Sequence, residues 1–345
     1  MYNYNQYMRL GQSSLVFFLS KIIASVTGFF ATAYFTRLLG NTVYGHFAIT
    51  LSLVAWFSLI KDIGFGQAII KRMSEGEEPG AYLTAGTIIQ GALVIPVIIG
   101  ILILQPQINE YVGRTVAEFI ILLLTVSILN GIVSSSLSGT HRVHTSAVLE
   151  TVSDLVQNAC MVTLVFFGWQ LTGMLSGYIL GAFISSLIGF YIVRLHPERP
   201  YRRHIFQLWE YARFSWLGSV QSKTFHRTDI LILGLFVSAG LTGIYAITYT
   251  LATFLEIFGN AINNVLFPEM SKLSAQNETE KIGLLTNDAL TFAGLFLIPG
   301  AVGAAVLGDR ILRVYGNGFE QGHWILVILI MALLIYTYTK QLLNT

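Results

Sequence analysis

Three cations, Lys21, Lys223 and Arg227, fall inside apolar stretches long enough to cross a hydrocarbon layer. A charge there costs at least about 2.5–3.5 kcal/mol even on the most lenient scale, so each must face something polar. Lys223 and Arg227 are four residues apart and share one helix face, with Thr224 and His226 beside them. Asp229 is turned away from Arg227 and requires another partner. The chemistry open to such a set is desolvation: Arg227 can replace the water of an anion through a bidentate fork, and the lysines can act as point charges. Lys21 lies about eight residues into its segment, about 12 Å at 1.5 Å per residue, and Lys223 and Arg227 lie at similar or greater depth. The competing reading is that the cations pair with Asp229 and Glu256 to hold helices together. Three cations against so few acids in that half leave positive charge over.

The acidic residues in apolar segments pose the converse question, whether they titrate or bind a cation. Glu150 and Asp154 are four apart, and Glu256 lies deep in a later segment. Two carboxylates on one face raise each other's proton affinity, which suits an H+ or Na+ relay. Glu150 closely follows the loop THRVHTSAV, so solvation or pairing with Arg142 is the preferred reading there. For Asp154 and Glu256 a coupling and a structural role are both compatible. Other chemistries find little support. His141 and His144 have no acidic or cysteine partner at metal spacing, and Ser134-Ser135-Ser136 lacks a glycine elbow or paired base. No nucleotide-binding loop is present. The single Cys160 reads as a small apolar side chain. A transporter, not an enzyme, is expected, with neither metal nor cofactor.

These residues need elements to hold them. With 54% hydrophobic and 11% charged residues in 345, the chain reads as an integral membrane protein. The first apolar block is too long for a signal-peptide core and is read as a retained helix. Apolar segments of spanning length fall near 13–35, 43–60, 83–105, 117–138, 147–168, 173–193, 213–236, 241–266, 285–307 and 323–342. Of the 20 Lys and Arg, three lie inside these segments and four (Arg37, Arg114, Arg310, Arg313) on one side, leaving thirteen on the other. That bias places both termini in the cytoplasm of a multi-pass cell-membrane protein. The stretch RLHPERPYRRHIFQLWEYAR, Arg194 to Arg213, reads as a cytoplasmic linker with an interfacial helix around His204 to Tyr211. Gly173, Gly177, Gly181, Ser185 and Gly189 form a small-residue stripe, the mark of close helix packing. Asp62, followed by Gly64 and Gly66, ends the second segment at a break that fits a gating hinge or an ordinary helix stop. Pro96 and Pro299 are expected to kink the third and ninth segments, for rocking or merely for packing.

The chain also repeats itself. Tyr44-Gly45-His46-Phe47-Ala48-Ile49-Thr50 aligns with Thr242-Gly243-Ile244-Tyr245-Ala246-Ile247-Thr248. Ile95-Pro96 and Gly100 align with Ile298-Pro299 and Gly303, and Gly113 with Gly316. Six segments in the first copy put the second in the same orientation. The expected fold is therefore all-α: ten transmembrane helices in two like-oriented bundles (1–194 and 213–345, linked by 195–212) around a central cavity. The second bundle has four helices, which reads as a fragment or as a natural loss of two.

Arg37-Leu38-Leu39-Gly40 before Tyr44-Gly45, and Asp62-Ile63-Gly64-Phe65-Gly66-Gln67-Ala68, resemble the opening of the Wzx-type polysaccharide flippases. These belong to the multidrug/oligosaccharidyl-lipid/polysaccharide exporter superfamily. Asp229-Ile230-Leu231-Ile232-Leu233-Gly234, Gly243-Ile244-Tyr245-Ala246 and Phe267-Pro268-Glu269-Met270-Ser271 are similar to that group's later stretches, although relatives usually carry twelve or fourteen helices. The resemblance implies transfer of a polyprenyl-pyrophosphate-linked oligosaccharide to the outer leaflet without chemical change. It carries no nucleic-acid role; membrane lipids and glycan polymerases or glycosyltransferases are the expected partners of a monomer. Lys21, Lys223, Arg227 and His226 would then line a diphosphate and glycan cavity. A multidrug exporter is the alternative within the superfamily, but a cavity for cationic drugs should be dominated by carboxylates. A membrane enzyme acting on lipid-linked sugars usually needs a large outer loop, and here the longest is about 15 residues, near Gly308 to Gly322.

Overall fold

The computed structural model describes residues 2–193, 197–255, 273, 276 and 278–343, with side chains except at 2–19, 21, 143, 217–226, 279, 280, 282, 296 and 340–343. Among the described residues the regular structure is entirely helical. α1 (Tyr2–Asp62) is broken at Gly40, whose φ of 80° and ψ of 174° suit only a residue without Cβ. Unbroken, 61 residues would reach about 90 Å, three times the hydrocarbon thickness. The break turns the run into two segments, as the residues around Arg37-Leu38-Leu39-Gly40 require. Then come α2 (Phe65–Ser74), α3 (Pro79–Ile103), α4 (Gln105–Val112), α5 (Ala117–Gly139), α6 (Val143–Phe166) and α7 (Gln170–Val193). α8 (Arg202–Phe236), α9 (Ala239–Leu255), α10 (Thr279–Arg313) and α11 (His323–Leu343) complete the chain.

Seven helices among the described residues are long and apolar enough to cross a membrane, the first of them containing the Gly40 break. The expected ten spans are therefore not reached by length and hydropathy alone. α9 falls short because 256–266 lie outside the described residues, and α8 is not among the seven. Two connections carry more structure than the apolar segments mark. The interfacial helix at 204–211 is not separate: it forms the opening turns of α8, which runs unbroken from Arg202 to Phe236. The connection after Asp62 holds the ten-residue α2, whose Phe65, Ala68, Ile69 and Met73 are buried against α3 and α8.

α6 and α7 pack through the small-residue stripe. A Cβ on Gly177 would lie 2.5 Å from the Met161 backbone, and one on Gly181 would collide with the Gln157 backbone. Ser185 is buried and donates to Gly181 O at 2.8 Å, keeping its hydroxyl within the helix. Without a hydrophobic drive between helices in lipid, such backbone approach supplies the packing energy. Gly181→Leu is therefore expected to separate α6 from α7 and remove most folded protein from the membrane fraction. Gly168→Leu is a poor control because its φ of 88° disfavours any side chain; Gly91→Leu, with open space around it, should express normally.

The start of α8 is clamped to the N-terminal bundle. Arg203 Nη2 and His204 Nε2 donate to Glu78 Oε2 at 2.5 and 2.6 Å, and the Tyr201 backbone N–H donates to His204 Nδ1 at 3.0 Å. His204 is fully buried, with Nδ1 turned to the Tyr201 N–H and Nε2 to Glu78. Tyr82 also donates to Gln207. The bond from His204, then that from Arg203, holds the Glu78 carboxyl below the usual carboxylate range. A depressed pKa means that the clamp is complete above that range and is lost as pH falls through it. Amide exchange over 201–207, corrected for intrinsic rate, should rise below about pH 4, and Glu78→Gln should produce the same rise at neutral pH.

Candidate functional site

Arg227, half-buried on α8, projects between two cavities. The first, about 430 Å³, lies within the N-terminal bundle among α1, α5, α6 and α7. Its polar lining includes Ser127, Asn130 and Ser134 from α5, Ser146, Glu150, Ser153, Asp154 and Gln157 from α6, and Tyr178 and Ser185 from α7. On both α5 and α6 these residues recur at spacings of three and four, which places them on one face. Tyr178 lies within electrostatic reach of both Asp154 and Arg227.

The second cavity, about 350 Å³, lies between the bundles and shares Leu51 and Arg227 with the first. Tyr44, Phe47 and Ala48 of α1 face Ala246, Tyr249 and Thr250 of α9. Thr250 and Thr253 are shared in turn with a third cavity of about 670 Å³. Val26, Phe29, Phe30, Leu251, Phe254 and Tyr315 make this one largely apolar. The three adjoin in series, from polar through aromatic to apolar, with the guanidinium at the polar junction.

At the edge of the second cavity, α1 and α9 meet backbone to backbone. A Cβ on Gly45 would overlap the Ala239 carbonyl oxygen and lie 3.0 Å from Gly243 N. A Cβ on Gly243 would overlap the Asn41 carbonyl oxygen and lie 2.9 Å from Gly45 N. Gly45 and Gly243 are aligned in the sequence repeat, and Asn41 and Ala239 stand four residues before them. The contact is thus reciprocal, the pattern of a seam lying on a twofold axis.

The other expected residues are distributed as follows. Asp229 accepts from the Tyr245 hydroxyl of α9 and from its own Ile230 N–H at 2.8 Å, so its partner is a tyrosine across the helix pair. Asp154 borders the polar cavity half-buried, Glu150 borders it exposed, and both have interaction partners. Asp62 accepts from Gly66 N at 2.8 Å and from Gln90 Nε2 at 2.9 Å. Gly64, with φ 79°, starts α2, and a Cβ there would crowd Ala212 O and Ser215 Oγ of α8 at 2.5 Å. Ser215 donates to Gly64 O at 3.0 Å, so the glycine break is a docking point for α8. α3 and α10 continue as helix through Pro96 and Pro299, each forgoing one helical N–H donor. The side chains of Lys21, Lys223 and His226, and the whole of Glu256, lie outside the described residues.

Tyr44, Asn130, Gln157, Tyr178 and Tyr249 are lining residues that the placement of charge alone does not single out. The recurrence of polar residues at Ser127, Asn130 and Ser134, and at Glu150, Ser153, Asp154 and Gln157, is the signal that would have found the α5 and α6 faces.

Comparison with known proteins agrees with this architecture. Over 96% of its length the chain superposes on 75% of a structure described as lipid II flippase MurJ in an inward closed conformation, with a TM-score of 0.78 at 15% identity. Over 94% it superposes on 78% of an inward-facing multidrug resistance MATE transporter, with a TM-score of 0.66 at 11% identity. At these identities the likeness is one of fold. In sequence it is 26% identical over 310 residues to the probable flippase AglR of Haloferax volcanii, covering 89% of this chain and 65% of that protein. It is 25% identical over 323 residues to the probable low-salt glycan biosynthesis flippase Agl15 of the same organism, covering 93% of this chain and 68% of that one. The chain thus spans about two thirds of the length of these relatives. The model of the polysaccharide biosynthesis protein family matches residues 10–274, and the chain belongs to that family.

Proposed function

We propose that the chain forms the translocation core of a flippase that carries a polyprenyl-diphosphate-linked oligosaccharide from the cytoplasmic to the outer leaflet by alternating access. The observation that carries this reading is the position of Arg227, between a polar cavity and an inter-bundle cavity that leads on to an apolar one. An amphiphile needs such a series: hydroxyl, amide and carboxylate groups for the glycan, a cation for the diphosphate, and an apolar trough for the first isoprenes. Neither phosphate nor glycan can enter hydrocarbon without replacement of its water. Arg227 supplies part of that replacement, and Lys21 and Lys223 are proposed to complete it. Asp154, facing the same cavity, is the residue proposed to couple transport to H+ or Na+. The working location is the cell membrane with both termini cytoplasmic, alongside glycosyltransferases or a polymerase that supply or consume the glycan.

Exchange of cationic drugs is the second reading, supported by the MATE-like fold, but a guanidinium at the junction disfavours a cationic cargo. Proteoliposomes holding a fluorescent polyprenyl-diphosphate oligosaccharide separate the two. Under an imposed H+ or Na+ gradient, the labelled lipid should become accessible to a membrane-impermeant quencher, and a cationic dye should not move. Dye transport with a static lipid would overturn the proposal.

A further inference from the structure

Between α2, α3 and the opening turns of α8 lies a groove of about 370 Å³, separate from the cavities around Arg227. Phe65, Ile89 and Leu93 form one side, and Ile205, Phe206 and Trp209 of α8 the other; Arg202 is the one charged residue at its edge. Phe206 and Trp209 are 69% and 53% exposed, although apolar area of that size gains about 25 cal/mol per Å² when removed from water. Ile89 and Leu93 belong to a helix of spanning length and apolarity, whereas α8 begins in the most basic connection of the chain. The groove therefore joins a hydrocarbon-level wall to a headgroup-level cation. Arg203 is held by Glu78, while Arg202 makes no ion pair among the described residues.

We infer that this groove binds an anionic phospholipid of the cytoplasmic leaflet, with an acyl chain along Phe65, Leu93 and Trp209 and the phosphate at Arg202. Charge complementarity decides the occupant. A zwitterionic lipid offers the same chain but brings an ammonium toward Arg202, whereas an anionic headgroup meets that cation with no opposing charge. A bound lipid would also brace the junction where Glu78, Arg203 and His204 hold α8 to α3. The inference does not depend on what the central cavities carry.

Trp209 is a reporter in place. In phosphatidylcholine proteoliposomes containing equal fractions of dibromo-phosphatidylglycerol or dibromo-phosphatidylcholine, its quenching is read as the difference between the parent chain and Trp209→Phe. Brominated phosphatidylglycerol should show about fivefold preference at Trp209, the size expected for one basic residue at a membrane surface. Arg202→Gln should abolish that preference, and Arg142→Gln, an equal charge change at another exposed loop, should keep it. Equal quenching by the two brominated lipids in the parent chain, or an unchanged preference in Arg202→Gln, would overturn the inference. So would displacement of brominated phosphatidylglycerol by equimolar undecaprenyl phosphate, which would assign the groove to the carrier lipid.

Discussion

Arg227→Gln is expected to lower polyprenyl-diphosphate translocation about 100-fold while leaving the amount of folded protein in the membrane unchanged. Each hydrogen bond to a charged group contributes about 1.5–3 kcal/mol, so loss of a two-bond fork costs about 3 kcal/mol, or two powers of ten in affinity. The fold should survive because Arg227 borders two cavities instead of filling a packed core. Arg227→Lys should recover part of the rate: the charge remains, but the planar fork does not. A lipid-flipping assay at matched protein amounts distinguishes these outcomes. Complementation of a transport-deficient strain by the Lys223→Ala, Arg227→Ala double variant at normal expression would show that no diphosphate clamp operates here.

The second large effect is expected at the glycine seam. Gly45→Ala places a methyl group on the Ala239 carbonyl, and Gly243→Ala places one on the Asn41 carbonyl, in both cases against backbone that cannot rotate away. Overpacking of this kind costs about 1–3 kcal/mol, enough to shift a two-state equilibrium by about one to two powers of ten. The seam borders the inter-bundle cavity and, in the proposed orientation with cytoplasmic termini, lies toward the outer face. Either substitution should therefore part α1 from α9 there and expose the cavity to the outside. After Cys160 is replaced by Ala, an Asn41→Cys reporter should label faster with an impermeant maleimide in both glycine variants. Because the contact is reciprocal, the two variants should behave alike. Acceleration in only one of them would mean that the seam is not a shared axis contact.

How far such features can be read from residues alone depends on what each contributes. Buried charge is costly, so Arg227 stands out in a single line of sequence. Ser127, Asn130 and Gln157 are individually cheap to place in a helix, and only their recurrence on one face marks the polar cavity. The small-residue stripe on α7 was legible because backbone approach in lipid demands Gly and Ser at regular intervals. α2 was not, since ten residues that include Lys71 and Arg72 look like a loop, and its buried face becomes apparent only against α3 and α8. Pro197 and Pro200 mark the linker, but nothing between Arg202 and Phe236 stops a helix, which is why the interfacial turns and the membrane segment are one element. The need of Asp229 for a second partner followed from helix geometry. That the partner is Tyr245 required the tertiary fold. The repeat aligned Gly45 with Gly243, yet sequence spacing could not show that the two touch.

The most direct test of the account is the affinity of the purified chain for undecaprenyl diphosphate, measured beside uncharged undecaprenol in the parent and in Arg227→Gln. A loss of about 100-fold is expected for the diphosphate and no change for the alcohol, because only the phosphates would meet the guanidinium. Equal binding of the diphosphate by both proteins would contradict it.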